Sequence, residues 1–127
     1  MQSGAVRYIV NDVDQSVDFY AKKLGFEVDM HVGGAFASLS LKNLRLYLNK
    51  PGQGGAGQAM SDGTVPAPGG WNRFQLEVKD LESVVGKLKE QGAKFRNEII
   101  TGVGGKQALL EDPSGNIIEL FEPGSRQ

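Results

Sequence analysis

The sequence contains an internal duplication, and this feature limits the folds that the chain can adopt. Val10-Asn11-Asp12 precedes an apolar-periodic stretch that ends at Leu24-Gly25. Val78-Lys79-Asp80 precedes a second stretch of the same kind, which ends at Gln91-Gly92 after nearly the same interval. Two copies are too few for a solenoid, because a solenoid needs several stacked repeats to bury a core. The duplication therefore predicts two tandem half-domains, and a cleft shared by two such halves is a natural place for a ligand.

The composition indicates one globular domain and excludes several classes of function. The chain has 127 residues, enough to bury a core, so we predict a single domain over residues 1–127. Its formal net charge of −1 provides no basic field for nucleic acid or for an anionic membrane surface. Cysteine is absent, which excludes disulfides, thiolate catalysis and thiolate metal ligands. The sequence has no apolar run of membrane-spanning length and no signal-peptide pattern, so we expect a cytoplasmic protein.

Each half of the duplication has the pattern of a strand, a helix and three further strands. In module one, residues 5–50, the β-branched and aromatic run Val6–Val10 is typical of a strand. Asp12 is a suitable helix N-cap and Gly25 a suitable left-handed stop, so a helix is predicted between them. The strands predicted after this helix are Phe26–His31, Ala35–Leu41 and Leu44–Leu48.

Module two, residues 71–123, repeats this order. A strand is predicted at Arg73–Val78, followed by a helix that begins at Asp80 and ends at Gly92. The strands predicted after it are Lys94–Ile99, Lys106–Glu111 and Asn116–Phe121. The connector, residues 51–70, contains seven glycines and three prolines, so we predict a linker or a mobile flap without an element of its own.

The two modules resemble a known family. The resemblance rests on Asp12…Phe19-Tyr20…Leu24-Gly25-Phe26 in module one and on Glu111-Asp112-Pro113-Ser114-Gly115-Asn116-Ile117-Ile118-Glu119-Leu120 in module two. These motifs are similar to those of the glyoxalase / bleomycin-resistance / extradiol-dioxygenase group, the vicinal oxygen chelate superfamily. The resemblance implies an α+β fold in which two tandem βαβββ modules form a concave, cup-shaped mixed sheet with helices on the outer face. This fold carries isomerases, dioxygenases, thiol transferases and non-catalytic drug-binding proteins, so function must be argued from the site.

The resemblance also implies where a catalytic metal would be held. In the family, the ligands face inward near the start of each half's first strand and on each half's last strand. Those positions fall on Ala5, on Arg73, on Glu119, and on Tyr47 or, after a slip of one residue, Leu46. Among them only Glu119 is a usual metal ligand. We therefore expect no metal and no other cofactor, and we interpret His31, the only histidine, as a surface or structural residue.

Strand alternation predicts which side chains line the cup. The candidates for ligand binding are Arg7, Tyr47, Arg73, Gln75 and Glu119, with Trp71 at the mouth where the flexible connector ends. Guanidinium groups bind anions in a bidentate manner, so a planar organic ligand that is anionic or forms hydrogen bonds is favoured. In the alternative interpretation these charges pair with each other, Arg73 with Glu119 for example, and Trp71 caps the core or forms a dimer contact.

Three functions remain open at this stage. We favour a metal-independent protein that binds a small organic molecule, as in the bleomycin-resistance branch. The alternative is a lyase, isomerase or dioxygenase-type enzyme, either metal-dependent or with Glu119 as general base and Tyr47 or Arg73 polarising the substrate. The third is an interaction module with a vestigial cup. Because members of the family commonly form dimers, we expect a homodimer, with the modules paired within one chain or between two.

Overall fold

A computed structural model describes residues 1–124 of the chain. They belong to two compact units, one containing Met1–Gly69 with Pro113–Asn116 and the other containing Gly70–Asp112 with the chain from Ile117. The elements of the first unit are β1 (Val6–Ile9), α1 (Val13–Asp18), a π-helical turn (Phe19–Lys23), β2 (Glu27–Val32), β3 (Phe36–Leu41), β4 (Leu44–Asn49) and α2 (Gly54–Gly57). Those of the second unit are β5 (Arg73–Glu77), α3 (Leu81–Glu90), β6 (Lys94–Phe95), β7 (Ile100–Thr101), β8 (Gly105–Glu111) and β9 (Ile117–Pro123).

A four-stranded mixed sheet in the order β1-β4-β3-β2 forms the base of the first unit. β1 and β4 are parallel, whereas β4 with β3 and β3 with β2 are antiparallel. The tight turn between β3 and β4 contains Lys42, a non-glycine residue with a positive φ of 55°. The strands predicted for module one are confirmed, each within one residue of its expected ends.

The helix of the first unit begins at Asp12, as predicted. The Oδ1 atom of Asp12 accepts a hydrogen bond from the backbone N–H of Gln15 at 2.9 Å, which satisfies one of the free donors of the first turn. Val13 and Val17 are buried, and α1 packs on β3 and β4. The helix widens into the π-helical turn and ends before Gly25, whose φ of 82° is a conformation that glycine adopts without strain.

The second unit contains a five-stranded sheet in the order β5-β9-β8-β6, with β7 also paired to β8. The single strand predicted at Lys94–Ile99 is wrong, because the chain forms the short strands β6 and β7 instead. The backbone N–H of Leu109 donates to the side-chain Oδ1 of Asn97 at 2.9 Å. This side chain occupies the place of a backbone acceptor, so the ladder between β8 and its neighbour is interrupted there.

The helix of the second unit confirms the second predicted N-cap. Oδ1 of Asp80 accepts a hydrogen bond from the N–H of Ser83 at 3.3 Å. Buried side chains of α3 are Leu81, Val85 and Leu88, and the helix packs on β8 and β9. Gly92 ends the helix with a φ of 85°.

The connector differs from its prediction, because it contains the short helix α2 at Gly54–Gly57. Farther along, the N–H of Thr64 donates to Oδ1 of Asp62 at 2.9 Å, and this hydrogen bond lowers the pKa of the Asp62 carboxyl. Local hydrogen bonds therefore organise a segment whose glycine content predicted a linker or a mobile flap.

A side-chain clip fixes the end of the connector within the first unit. Asn116 accepts a hydrogen bond from the N–H of Gly69 at 2.8 Å and donates from Nδ2 to the carbonyl oxygen of Ile9 at 2.9 Å. We call these three residues the Asn116 clip. Beside it, the hydroxyl of Ser114 accepts a hydrogen bond from the N–H of Asn11 at 2.8 Å. The turn before β9 therefore also joins the end of β1 to the end of the connector.

Each module thus supplies a mixed sheet with a helix packed on it, and the predicted α+β fold of two tandem βαβββ modules is confirmed. Within residues 1–124, no helix has the length and apolar character needed to cross a membrane.

Candidate functional site

The face of the first sheet that does not pack on α1 carries the module-one candidates, and we call it the module-one face. On the opposite face Ala37, Leu39, Leu46 and Leu48 are fully buried. Residues that pair across strands point to the same side of a sheet. Pairing therefore orders the module-one face in rows, which are Ile9-Asn49-Phe36-Val32, Arg7-Tyr47-Ser38-Met30 and Arg45-Ser40-Glu27.

Arg7 and Tyr47 are brought together in the middle row, as the alternation predicts. The two residues are direct partners across β1 and β4, and Cζ of Arg7 lies 5.2 Å from the centroid of the Tyr47 ring. Nη1 of Arg7 also donates a hydrogen bond to Oδ1 of Asn49. The Tyr47 ring contacts Phe36, with 5.9 Å between the ring centroids. The result is a cation above the Tyr47 ring, which itself contacts the Phe36 ring.

Arg45 adds a second cation to this face, although it was not among the predicted site residues. Its Nη1 atom lies 3.4 Å from the hydroxyl oxygen of Tyr47, at the long end of hydrogen-bond distance. Its Nη2 atom donates to Oγ of Ser3 at 3.0 Å and to the carbonyl oxygen of Gly4 at 3.1 Å. The signal in the sequence is the two-residue spacing between Arg45 and Tyr47, because residues two apart on a strand lie on the same face.

An irregularity in β2 changes which of its side chains face this site. The register between β2 and β3 shifts between Val28 and Met30, so Asp29 is an inserted residue. Oδ1 of Asp29 accepts a hydrogen bond from the Ser40 hydroxyl at 3.2 Å, which places Asp29 on the module-one face. Beyond the insertion Met30 and Val32 share that face, and they are 56% and 54% exposed.

His31 points to the other side of the sheet. Its Nε2 atom lies 2.7 Å from Oδ1 of Asp14, a residue of α1. This contact agrees with the interpretation of His31 as a surface or structural residue.

In the second unit, Arg73, Gln75 and Glu119 form one hydrogen-bonded cluster. Nε of Arg73 donates to Oε1 of Glu119 at 3.0 Å, and Nε2 of Gln75 donates to Oε2 at 2.7 Å. The Glu119 side chain is 13% exposed and that of Arg73 is 30% exposed. Both carboxylate oxygens of Glu119 are therefore engaged, in the charge pairing that the sequence left open as an alternative.

Trp71 lies just before β5, and its ring contacts an arginine that the sequence did not single out. Cζ of Arg96 lies 5.4 Å from the centroid of the indole ring, while Nε of Arg96 donates to Oε2 of Glu111 at 3.1 Å. The indole is 70% exposed, so one of its faces remains available to solvent or to a ligand.

An open hollow of about 440 Å³ lies at another place on the first unit, lined by Gly25, Glu27, Ser40, Leu41 and Lys42. It shares Glu27 and Ser40 with the Arg45 row of the module-one face. Of the site residues predicted from sequence, none belongs to this lining in the part of the chain that is described.

The residues at the family's metal positions do not form a metal-ligating set. Arg73 donates its hydrogen bond to Glu119, so a cation already occupies the place beside the only usual ligand. Across residues 1–124, no three His, Asp or Glu side chains approach closely enough to share a metal ion. The donor set of this chain therefore does not fit a divalent metal at these positions.

The candidate residues thus form separate groups: Arg7 with Tyr47 in the first unit, Arg73 with Gln75 and Glu119 in the second, and Trp71 with Arg96. The first group offers guanidinium, phenol and aromatic surface. The second offers a carboxylate held by two donors. Such chemistry suits binding and orienting a polar organic molecule.

Solved structures similar to this chain share its fold at low sequence identity. A lactoylglutathione lyase from Agrobacterium tumefaciens matches with a TM-score of 0.73 and 17% identity, covering 96% of this chain and 94% of that one. A glyoxalase/bleomycin resistance protein/dioxygenase superfamily member from Sphaerobacter thermophilus DSM 20745 matches with a TM-score of 0.75 and 24% identity, over 96% and 97%. An antibiotic-binding protein from Streptomyces sp. CB03234 matches with a TM-score of 0.70 and 24% identity, over 98% and 99%.

The family comparison covers both modules, including the segments around Gly25 and Asn116. The model of one protein family matches residues 2–120, which is nearly the whole chain. The chain therefore belongs to the Glyoxalase/Bleomycin resistance protein/Dioxygenase superfamily.

Proposed function

We propose that this protein binds a small organic molecule, polar or anionic, without a metal ion. The observation that carries the proposal is the Arg73–Glu119–Gln75 cluster, because it engages both oxygens of the only usual metal ligand at the family's metal positions. A carboxylate held in this way can accept a hydrogen bond from a ligand but is poorly placed to take up a cation beside Arg73.

The other candidate residues supply the groups that a binding site needs. Arg7 and Tyr47 offer a cation and a phenol above aromatic surface, and Trp71 offers an exposed ring face. Binding sites for small molecules combine apolar and aromatic surface with a few polar groups that fix orientation. The antibiotic-binding protein from Streptomyces is a precedent for a binding role on this fold.

An enzyme is the second candidate, and the orientation of Glu119 favours it. The hydrogen bonds from Arg73 and Gln75 hold the carboxylate in one position, as a general base requires. The lyase from Agrobacterium is a precedent for catalysis on this fold. If Glu119 acts as a base, Glu119→Gln abolishes turnover of the substrate but leaves its binding nearly intact.

The proposed function is tested by measuring metal content and ligand binding on the same preparation. We expect protein purified without chelator to contain no stoichiometric zinc, nickel, manganese or iron by mass spectrometry. We also expect saturable amide shifts in ¹H–¹⁵N spectra on titration with 2-naphthoate or its neutral analogue 2-naphthamide, unchanged after EDTA treatment. Stoichiometric metal that is lost in Glu119→Gln, or the absence of saturable binding by both probes, contradicts the proposal.

The homodimer and the cytoplasmic location stay predictions. Analytical ultracentrifugation of the purified protein tests the first, with a single species of twice the chain mass as the expected result.

A further inference from the structure

The guanidinium groups of the module-one face differ from those of the second unit in their partners. Arg73 and Arg96 each donate to a carboxylate, Glu119 and Glu111 respectively. Arg7 donates to the neutral amide of Asn49. Arg45 contacts neutral oxygens, those of Tyr47, Ser3 and Gly4. Within residues 1–124, neither Arg7 nor Arg45 lies at ion-pair distance from a carboxylate.

Both of these uncompensated cations flank the same phenol. Arg7 lies over the ring of Tyr47, and Arg45 lies beside the hydroxyl of Tyr47. Two positive charges placed close together repel each other, and an anion that contacts both removes this repulsion. Charge-assisted hydrogen bonds from guanidinium to carboxylate are also stronger than those to neutral oxygens. This side of the face, along β1 and β4, is therefore suited to an acidic group.

On the other side of the same face, the part of β2 beyond the insertion carries apolar side chains that are exposed to water. Met30 and Val32 on β2 are more than half exposed, and Val32 pairs with Phe36 on β3. Phe36 in turn contacts the ring of Tyr47. Covering such side chains with an apolar partner is favourable by roughly 25 cal/mol for each Å² removed from water. The module-one face thus has a cationic side along β1 and β4 and an apolar area at the end of β2, while Glu27 and Asp29 place carboxylates at the start of β2.

From this division we infer that the ligand is an amphipathic organic anion that lies across the strands of the module-one face. Its acidic group contacts Arg7, Arg45 and the hydroxyl of Tyr47, and its flat apolar body covers Phe36, Met30 and Val32. The strands β4 and β2 are two strand spacings apart, so the acid and the far end of the apolar body are separated by about 10 Å.

The inference rests on the proposed binding function and assigns the anion to Arg7 and Arg45 instead of Arg73. The charge of Arg73 is already balanced by Glu119. An acidic ligand at Arg73 would have to displace that carboxylate or lie beside it, and both are unfavourable. Arg45 is thereby assigned as a specificity-determining residue.

The inference is tested with 2-naphthoate and 2-naphthamide, which share one apolar body and differ in charge. In NMR titrations of the wild-type protein, we expect 2-naphthoate to bind about tenfold or more tightly than 2-naphthamide, as charge-assisted hydrogen bonds predict. Arg45→Gln and Arg7→Gln should each reduce this preference, while Met30→Ser should weaken the binding of both probes. Lys22→Gln, which removes an exposed cation from the π-helical turn, is the matched control and should leave both affinities unchanged.

Each other outcome has a definite meaning. Equal binding of the two probes, or a preference that Arg45→Gln leaves intact, overturns the inference while the proposed binding function stands. Failure of both probes to bind overturns the two proposals together. In a further outcome, the wild-type protein is a dimer that Met30→Ser dissociates, and neither probe shifts the amide signals of this face. That outcome identifies a second copy of the chain as the occupant and also overturns the inference. Unchanged chemical-shift dispersion in each variant confirms that the variant is folded.

Discussion

The arginines of the described chain show how the partners of a side chain decide what it can bind. Strand alternation predicted that Arg7 and Arg73 are candidates of one kind. In the structure Arg73 is paired with Glu119, whereas Arg7 meets the neutral side chains of Asn49 and Tyr47. Sequence reasoning identifies the face of each residue from local periodicity. It does not select among ion pairs between residues distant in sequence, because those depend on the register of strands that are not neighbours in the chain.

At this scale we predict that the Arg73–Glu119 pair stabilises the second unit. Arg73→Gln removes one of the two hydrogen-bond donors, Arg73 and Gln75, that hold the largely buried Glu119 carboxylate. The free energy of unfolding should therefore fall by roughly 1–3 kcal/mol. The double variant Arg73→Gln/Glu119→Gln should recover part of this loss, because the amide carries no charge. Urea unfolding of the single and double variants measures both changes.

The control is the exposed pair of Lys22 and Asp18, whose side chains are 77% and 66% exposed. Lys22→Gln should change stability by less than about 0.5 kcal/mol. Equal effects of Arg73→Gln and Lys22→Gln would show that the cluster contributes no more than a surface pair.

The elements follow local sequence signals where those signals are complete. Asp12 and Asp80 begin helices, and Gly25 and Gly92 end them, as their side chains or their conformational freedom predict. Two details escaped prediction because a single residue interrupts the regular strand pattern in each case. Asn97 accepts a ladder hydrogen bond and divides one expected strand in two. The insertion at Asp29 reverses the alternation of β2, and the sequence contains no marker for it.

We predict that the N-cap of α1 contributes measurably to stability. Asp12→Ala removes the acceptor for the Gln15 N–H and should lower the free energy of unfolding by about 0.5–2 kcal/mol. Asp12→Asn should retain most of the stability, because an amide oxygen also caps a helix. Asp18→Ala, in the last turn of α1, is the control and should have the smaller effect. Thermal unfolding by circular dichroism gives the order of the variants, and a loss in Asp12→Asn as large as in Asp12→Ala would contradict a capping role.

At the scale of the whole molecule, the duplication predicted two modules, and the local patterns in each copy predicted the order of their elements. The resemblance to a known family implied the α+β fold class and the strand positions from which the candidate residues were chosen. The sequence did not predict how the contacts divide the chain into two units. Pro113–Asn116 belongs to module two by its position in the sequence but to the first unit by its contacts. The reason is the Asn116 clip, in which an amide of the motif before β9 bonds Ile9 and Gly69.

We predict that the Asn116 clip holds the end of the connector. Asn116→Ala removes a buried side chain that bonds a backbone donor and a backbone acceptor, so stability should fall by roughly 1–3 kcal/mol. Thermolysin should also cleave near Met60 and Val65 faster than in the wild-type protein, because the end of the segment is released. Asn72→Ala, at an exposed position, is the control. Unchanged proteolysis in Asn116→Ala would show that the connector is held by other contacts.

The inserted residue in β2 also bears on how ligand preference evolves in a protein of this kind. Asp29 is an extra residue that adds a carboxylate to the module-one face without changing the pairing of β2 on either side of it. An in-frame deletion of its single codon would therefore restore regular alternation, leave Met30 and Val32 on this face and remove one negative charge from it. Related genes that differ by this one codon would encode the same strands and the same apolar side chains with a different charge beside them. Length variation in β2 is thus one place to look for diversification of ligands.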